Sequence, residues 1–261
     1  MDRSRLVEKL HISSIDERCA ILAREHGLGV EIAEFCWAYY IDNEREAHIE
    51  NCRKMMAGSN SFWFHAPFAE LAPCAIDPRA RELAFTRYMQ AAQIAEQLNV
   101  NHLVIHGGYI PYVYYPETYV EQSVIFWKEF LEKAPSGLVI ALENVMEPSP
   151  EMLVKIAEGV ASPRLGLCLD IGHANCIVSK TPPEDWIAPM AEHLFHVHIH
   201  DNLGENDLHL PLGEGNIALE HILDTVLDTC PKASFTIENM HAEASIRFLV
   251  EKGYIERSKR G

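Results

Sequence analysis

Between His196 and Ile217 the chain reads HVHIHDNLGENDLHLPLGEGNI and holds four of its fourteen histidines. His196, His198 and His200 alternate with Val197 and Ile199, the spacing of one face of a β-strand. Asp207 and His209 follow in D-L-H, and comparable groups lie upstream and downstream: His65, His106, Glu143, Asp170, His173 and Glu238. Taken singly, each has an ordinary reading, since a lone histidine is usually a hydrogen-bonded core residue and a lone acid at a strand end is usually solvated. With His198 included and His196 and His200 left aside, they are five imidazoles and four carboxylates. If they converge, the carboxylates repel unless a cation compensates them. Mixed His/Asp/Glu ligation suits zinc, manganese or a related divalent metal, here as one to three ions.

The elements that must position these residues are short apolar runs, each followed by a helical pattern. Strands are predicted at 9–14, 29–35, 61–66, 102–107, 138–144, 165–171, 194–200 and 234–239. Between and after them lie helical periods at 16–26, 44–57, 77–98, 116–134, 149–160, 183–193, 218–229 and 242–252. Eightfold strand–helix alternation predicts a single-domain (β/α)8 TIM barrel spanning 1–261. An open doubly wound sheet would want a glycine-rich loop after its first strand, and ISSIDERC is not one. Alternation places Phe195, Val197 and Ile199 towards the helices and the histidines between them towards the lumen. The candidate ligands then sit near strand C-terminal ends, where barrel enzymes carry their chemistry. His11, His102, His196 and His200 are expected to orient ligands or pack the lumen. His26, His48, His193, His221 and His241 fall in helices or loops and are expected to play no part in the chemistry.

The composition excludes several classes. With 22 basic and 38 acidic residues the formal charge is −16, which disfavours a nucleic-acid footprint or an anionic membrane surface. Seven scattered cysteines without a C-x-x-C pair, and an N-terminus without an apolar signal core, suggest a reduced, cytoplasmic chain. The tail ERSKRG reads as a frayed end rather than a nucleic-acid arm.

The motifs IHGG (105–108), LEN (142–144), LDIGHAN (169–175), HIHDN (198–202), DLHLPLGEGNI (207–217) and IEN (237–239) carry a resemblance. The chain resembles the xylose isomerase-like TIM-barrel superfamily, from the second strand to the eighth. That group contains sugar isomerases and epimerases as well as endonuclease IV. In the isomerase branch one metal is held by a Glu, an Asp, a His and a second Glu, roles that fall here on Glu143, Asp170, His198 and Glu238. In endonuclease IV a trinuclear zinc site uses nine ligands. Their counterparts are His65, His106, Glu143, Asp170, His173, His198, Asp207, His209 and Glu238, all present.

The ligand count leans towards the nuclease, because two- and three-metal clusters hydrolyse phosphodiesters. Charge leans the other way. No Lys or Arg occurs between Arg87 and Lys128 or between Lys180 and Lys232, stretches that contain the loops after strands four and seven. Phe68 matches an aromatic wedge of the nuclease only in part, since HAPF could equally pack the mouth. The loops CWAYY (36–40) and GYIPYVYYPETY (108–119) are aromatic, which suits either sugar faces or loop-on-loop packing. The favoured reading is a metal-dependent isomerase or epimerase of a small polyhydroxy carbonyl compound, with Trp37, Tyr109, His65, His106 and Lys180 touching substrate. Trp37, Tyr109 and Tyr112 are expected to line a compact pocket. Glu143 and Glu238 would move a proton through a metal-stabilised enediolate. A multi-zinc phosphodiesterase is the alternative. A small-molecule substrate is expected, with no nucleic-acid or membrane partner.

Overall fold

The structure, a computed structural model, describes residues 3–256; the tail beyond Glu256 lies outside them. After a 3-10 helix at Arg3–Lys9 the chain runs β1 (Leu10–Ser13), α1 (Cys19–His26), β2 (Gly29–Ile32), α2 (Ala38–Asn43), α3 (Arg45–Met56), β3 (Phe62–His65) and α4 (Pro78–Gln97). It continues through β4 (His102–His106), α5 (Pro116–Lys133), β5 (Val139–Glu143), α6 (Glu151–Val160), β6 (Leu165–Asp170), α7 (Ile171–Asn175) and α8 (Pro183–Met190). It ends with β7 (Leu194–Ile199), α9 (Leu219–Thr229), β8 (Ser234–Ile237) and α10 (Ala242–Glu251). The eight strands close in sequence order, β1 to β8 and back to β1, with every pair parallel.

Local chemistry explains the punctuation. Asp77 caps α4, its side chain accepting from the Arg79 amide at 2.7 Å, with Pro78 opening the helix. α1 stops at Gly27, whose φ of 69° is left-handed. The helix-facing sides of the strands, among them Ile12, Val30, Leu103, Ile140, Leu167 and Val197, join the helices in one buried core. A separate, smaller cluster of Trp63, Val104, Ala141 and Cys168 fills the lumen.

Three expectations need correction. Phe195 does not share a face with Val197 and Ile199. The β6–β7 register slips, Leu167 pairing with Leu194 and Cys168 with His196, so a bulge turns Phe195 onto the lumen cluster. Its ring occupies the space where a Cβ at Gly166 would stand, 2.2 Å away. The aromatic segment CWAYY is partly helical, because α2 starts at Ala38. The segment after Asp170 is also helical: α7 begins at once, capped by the Asp170 side chain, which accepts from the His173 amide at 2.6 Å. Among the described residues no helix is long and apolar enough to cross a membrane.

Candidate metal centre

The strand ends deliver the ligand types to one place. His65, His106, Glu143 and Asp170 are the last residues of β3, β4, β5 and β6; His198 is next to last in β7, and Glu238 follows β8 directly. Asp207 and His209 come from the long loop after β7, and His173 from α7. All nine candidates fall into three groups whose ligand atoms lie within 4.8 Å of one another: His65–His106–Glu143, Glu143–Asp170–His198–Glu238, and His173–Asp207–His209.

Glu143 joins the first two groups. Its Oε2 lies 3.2 Å from His65 Nε2 and 3.3 Å from His106 Nε2, and its Oε1 lies 3.3 Å from His198 Nδ1 and 3.4 Å from His173 Nδ1. In the third group Asp207 Oδ2 is 2.8 Å from His209 Nε2 and 3.2 Å from His173 Nε2. Burial alone would raise the carboxylates and lower the imidazoles. At Glu143, Asp170, His173 and His209 mutual pairing outweighs it, whereas at His106 burial prevails and lowers the imidazole. His106 and His198 hold Glu143 well below the usual carboxylate range despite burial. Against the same penalty, His173 and His200 bring Asp170 down to about 2. His173 is raised well above the usual imidazole value, with burial opposing and Asp170 the main attraction. His209 is raised to about 9, burial opposing and its hydrogen bond to Asp207 prevailing.

A divalent cation fits this donor set. Glu238 Oε2 is buried without a hydrogen bond, although His198 Nδ1 is only 3.1 Å away. The two atoms are out of line with each other and close to Glu143 and Asp170, as expected of ligands aimed at a common point.

Residues around the groups fix their orientation, and several were not foreseen. Asn144 clamps Asp170, accepting from its amide at 2.8 Å and donating to its carbonyl at 2.9 Å. His200 lies 3.1 Å from both Asp170 oxygens and stacks on His209 at 4.0 Å between ring centroids, so its expected orienting role has a geometric basis. A Cβ at Gly172 would stand 1.9 Å from the His200 ring, so only glycine fits there. Glu31 on β2, absent from the sequence-derived site, is fully buried against His196, His198 and Thr236. Its signal was present in GVEI, an inward acid between outward Val30 and Ile32, but it lies before its strand's end. His11 bonds the Phe235 carbonyl and Ser61 instead, and His102 tilts against Trp63.

The candidate substrate contacts are less convergent. Phe68 lies flat on His106, with ring centroids 4.5 Å apart, and edge-on to His65. Trp37 is exposed and stacks on Tyr40. Tyr109 is buried in the core, edge-on to Tyr119, while Tyr112 is fully exposed. The expected Trp37–Tyr109–Tyr112 pocket therefore does not form, because burying the Tyr109 ring against Tyr119 removes one wall. Lys180 donates to the Ile177 carbonyl at 3.2 Å and lines a cavity of about 400 Å³ with Asn175, Cys176 and Asn216.

Barrel, strand-end acids and histidines, and loop triad together define a barrel whose mouth carries groups that could hold metal, of the kind the motifs suggested. A profile of the xylose isomerase-like TIM barrel matches residues 22–252, and the chain belongs to that family. It is similar to a D-tagatose 3-epimerase-like protein of known structure, with a TM-score of 0.76 and 26% identity over 94% of this chain and 96% of that one. It is also similar to a Thermus thermophilus protein whose crystals were soaked with zinc chloride, with a TM-score of 0.75 and 28% identity over 93% of this chain and 97% of that one. An uncharacterized protein of Methanocaldococcus jannaschii is 31% identical over 202 residues, 74% of this chain and 69% of that one. A probable endonuclease 4 of Mesomycoplasma hyopneumoniae is 28% identical over 147 residues, 50% of this chain and 52% of that one.

Proposed function

We propose that the chain is a metal-dependent isomerase or epimerase of a sugar, sugar phosphate or similar small polyhydroxy carbonyl compound. The observation that carries this reading is the group Glu143, Asp170, His198 and Glu238, four ligand side chains from four neighbouring strands with ligand atoms within 4.8 Å of one another. Zinc, manganese or a similar divalent ion held there would act as a Lewis acid on a substrate carbonyl and its neighbouring hydroxyl. Glu143 or Glu238 would take the proton from the carbon next to the carbonyl. The other, or a water, would return it. His65 and His106, beside Glu143, and the exposed Trp37 would orient substrate, with Lys180 at the edge. Likeness to the D-tagatose 3-epimerase-like protein supports this chemistry. The seven free cysteines support a reducing, cytoplasmic setting.

A second reading has one specific observation in its favour: three metal-capable groups that include all nine ligands of the endonuclease IV pattern. That reading is a multi-zinc phosphodiesterase. One experiment separates the two. Metal-loaded protein is incubated in D2O with a panel of ketoses, aldoses and their phosphates. The isomerase reading expects solvent deuterium at the carbon next to the carbonyl and one essential metal equivalent. Absence of exchange across the panel, with three essential equivalents, would replace it with the phosphodiesterase.

A further inference from the structure

Glu31 stands outside the nine ligand candidates, yet it is buried directly against one of them, His198. Its carboxylate is fully buried on β2. Oε2 accepts from Thr236 Oγ1 at 2.7 Å and lies 3.0 Å from His196 Nε2. The two oxygens straddle His198 Nε2, Oε1 at 3.0 Å and Oε2 at 3.3 Å. On the opposite edge of the same ring, His198 Nδ1 faces Glu238 Oε2 at 3.1 Å, Glu143 Oε1 at 3.3 Å and Asp170 Oδ2 at 3.7 Å. The imidazole thus bridges a lone carboxylate and the four-residue metal group.

A neutral imidazole carries one proton on two nitrogens, and the hydrogen bond made by one decides which nitrogen offers a lone pair. We propose that Glu31 is a positioning residue: it keeps the His198 proton on Nε2 and so presents Nδ1 as the metal-binding atom. Thr236 and His196 hold the carboxylate in place, and Ser234, 2.7 Å from His196 Nδ1, continues the chain of contacts to the start of β8. The inference rests on the metal reading of the four-residue group. The same atoms allow a rival, since Glu31, His65, His198 and Glu238 also lie within 4.8 Å of one another, and Glu31 could itself be a ligand.

The test uses the full chain as wild type, Glu31→Gln and Thr236→Val. Zinc affinity is measured by competition with a chromophoric chelator, the His198 tautomer by ring ¹⁵N NMR of zinc-loaded protein, and the melt of the metal-free form by circular dichroism. In wild type we expect His198 protonated on Nε2. In Glu31→Gln we expect zinc affinity weaker by about 10–100-fold, a metal-free form that still folds, with a melt lowered only modestly by the lost pairing to His198, and an Nε2–H resonance that shifts and exchanges faster with solvent because its carboxylate partner is gone. Thr236→Val should shift affinity in the same direction by less. His198 protonated on Nδ1 in wild type would overturn the proposal, a result that needs no variant to fold. So would unchanged zinc affinity in both variants, an affinity loss matched by collapse of the metal-free fold, or a bound zinc touching Glu31. A wild type that takes up no zinc at all would instead defeat the metal reading itself.

Discussion

The four-residue group and the outer triad use the same ligand chemistry but are built differently. Glu143, Asp170 and His198 are almost completely buried and Glu238 is 12% exposed, whereas Asp207 and His209 are 32% and 28% exposed. The inner ligands hang on paired strands. Asp170 and His198 are direct β6–β7 partners, so barrel closure alone sets their spacing. The outer pair hangs on a loop. Asp201 staples that loop, accepting from the Gly213 and Ile217 amides and bridging Leu210. His209 has a φ of 47°, a left-handed backbone that costs a non-glycine residue about 1–3 kcal/mol and persists where surroundings enforce it. Here its Nδ1 donates to the Glu238 carbonyl at 2.7 Å and its ring stacks on His200. The inner site is thus dictated by the fold. The outer one is an addition held by particular side chains, and can be altered without disturbing the barrel.

The largest effect expected from this contrast comes from removing one ligand of each kind. Glu143→Gln should lower turnover and solvent-deuterium exchange by about 10²–10⁴, because Glu143 belongs to two of the groups and is proposed to take part in the proton transfer. His209→Ala should cost less than about 1.4 kcal/mol of transition-state stabilisation, a tenfold change, while removing any metal held at the rim. Steady-state kinetics beside elemental analysis reads both. Equal losses from the two variants would merge inner and outer groups into one catalytic cluster.

The same contrast explains what could be read before folding. Strand periodicity located all eight strands and put His65, His106, Glu143 and Asp170 at their ends, because a parallel barrel strand needs one apolar face and leaves the other for chemistry. Phe195 broke the pattern because a bulge is a pairing event between β6 and β7, invisible within either strand. Glu31 was passed over because its importance lies in what faces it from β7 and β8. Tyr109 and Tyr112 share a loop and a residue type, so only the packed structure could separate the buried ring from the exposed one.

A smaller effect separates metal-bound from metal-free protein. Metal that binds only the folded state adds RT ln(1 + [L]/Kd), about 4 kcal/mol at a thousandfold excess over Kd, or roughly 10 °C for a chain of this size. The pH dependence follows from the imidazoles. His209, raised to about 9, and His173 and His198, raised well above the usual value, stabilise the metal-free fold fully below their unfolded value near 6.5. That contribution fades as pH climbs through the folded values. Asp170, at about 2, stays ionised from pH 5 to 8 and contributes nothing to the change. Histidine ligands also bind metal better as they lose protons. Chelation should therefore lower the melting temperature more at pH 8 than at pH 5. The cause is loss of imidazolium pairing, since Glu143 and Asp170 are held ionised below this range. Equal shifts at both pH values in melts with and without chelator would contradict it.

The smallest effect expected is on DNA: no appreciable abasic-site cleavage and only weak duplex binding near physiological salt. The outer triad is what makes the alternative worth testing, since it completes the nuclease pattern. Ligands supply chemistry, but affinity for a duplex comes largely from neutralising phosphates. The chain has a formal charge of −16, and the loop carrying Asp207 and His209 lies in the stretch from Thr181 to Pro231 that holds no Lys or Arg. Lys180, at the margin of that stretch, donates to its own loop. Phe68, the partial match to the nuclease wedge, lies flat on His106. An aromatic wedge also contributes only once the backbone is held. The assay sets zinc-loaded protein against an abasic duplex beside an endonuclease IV control, with wild type, Glu143→Gln and His209→Ala compared. Cleavage at a rate near the control, lost in both variants, would make the outer triad catalytic and put phosphodiester hydrolysis ahead of proton transfer.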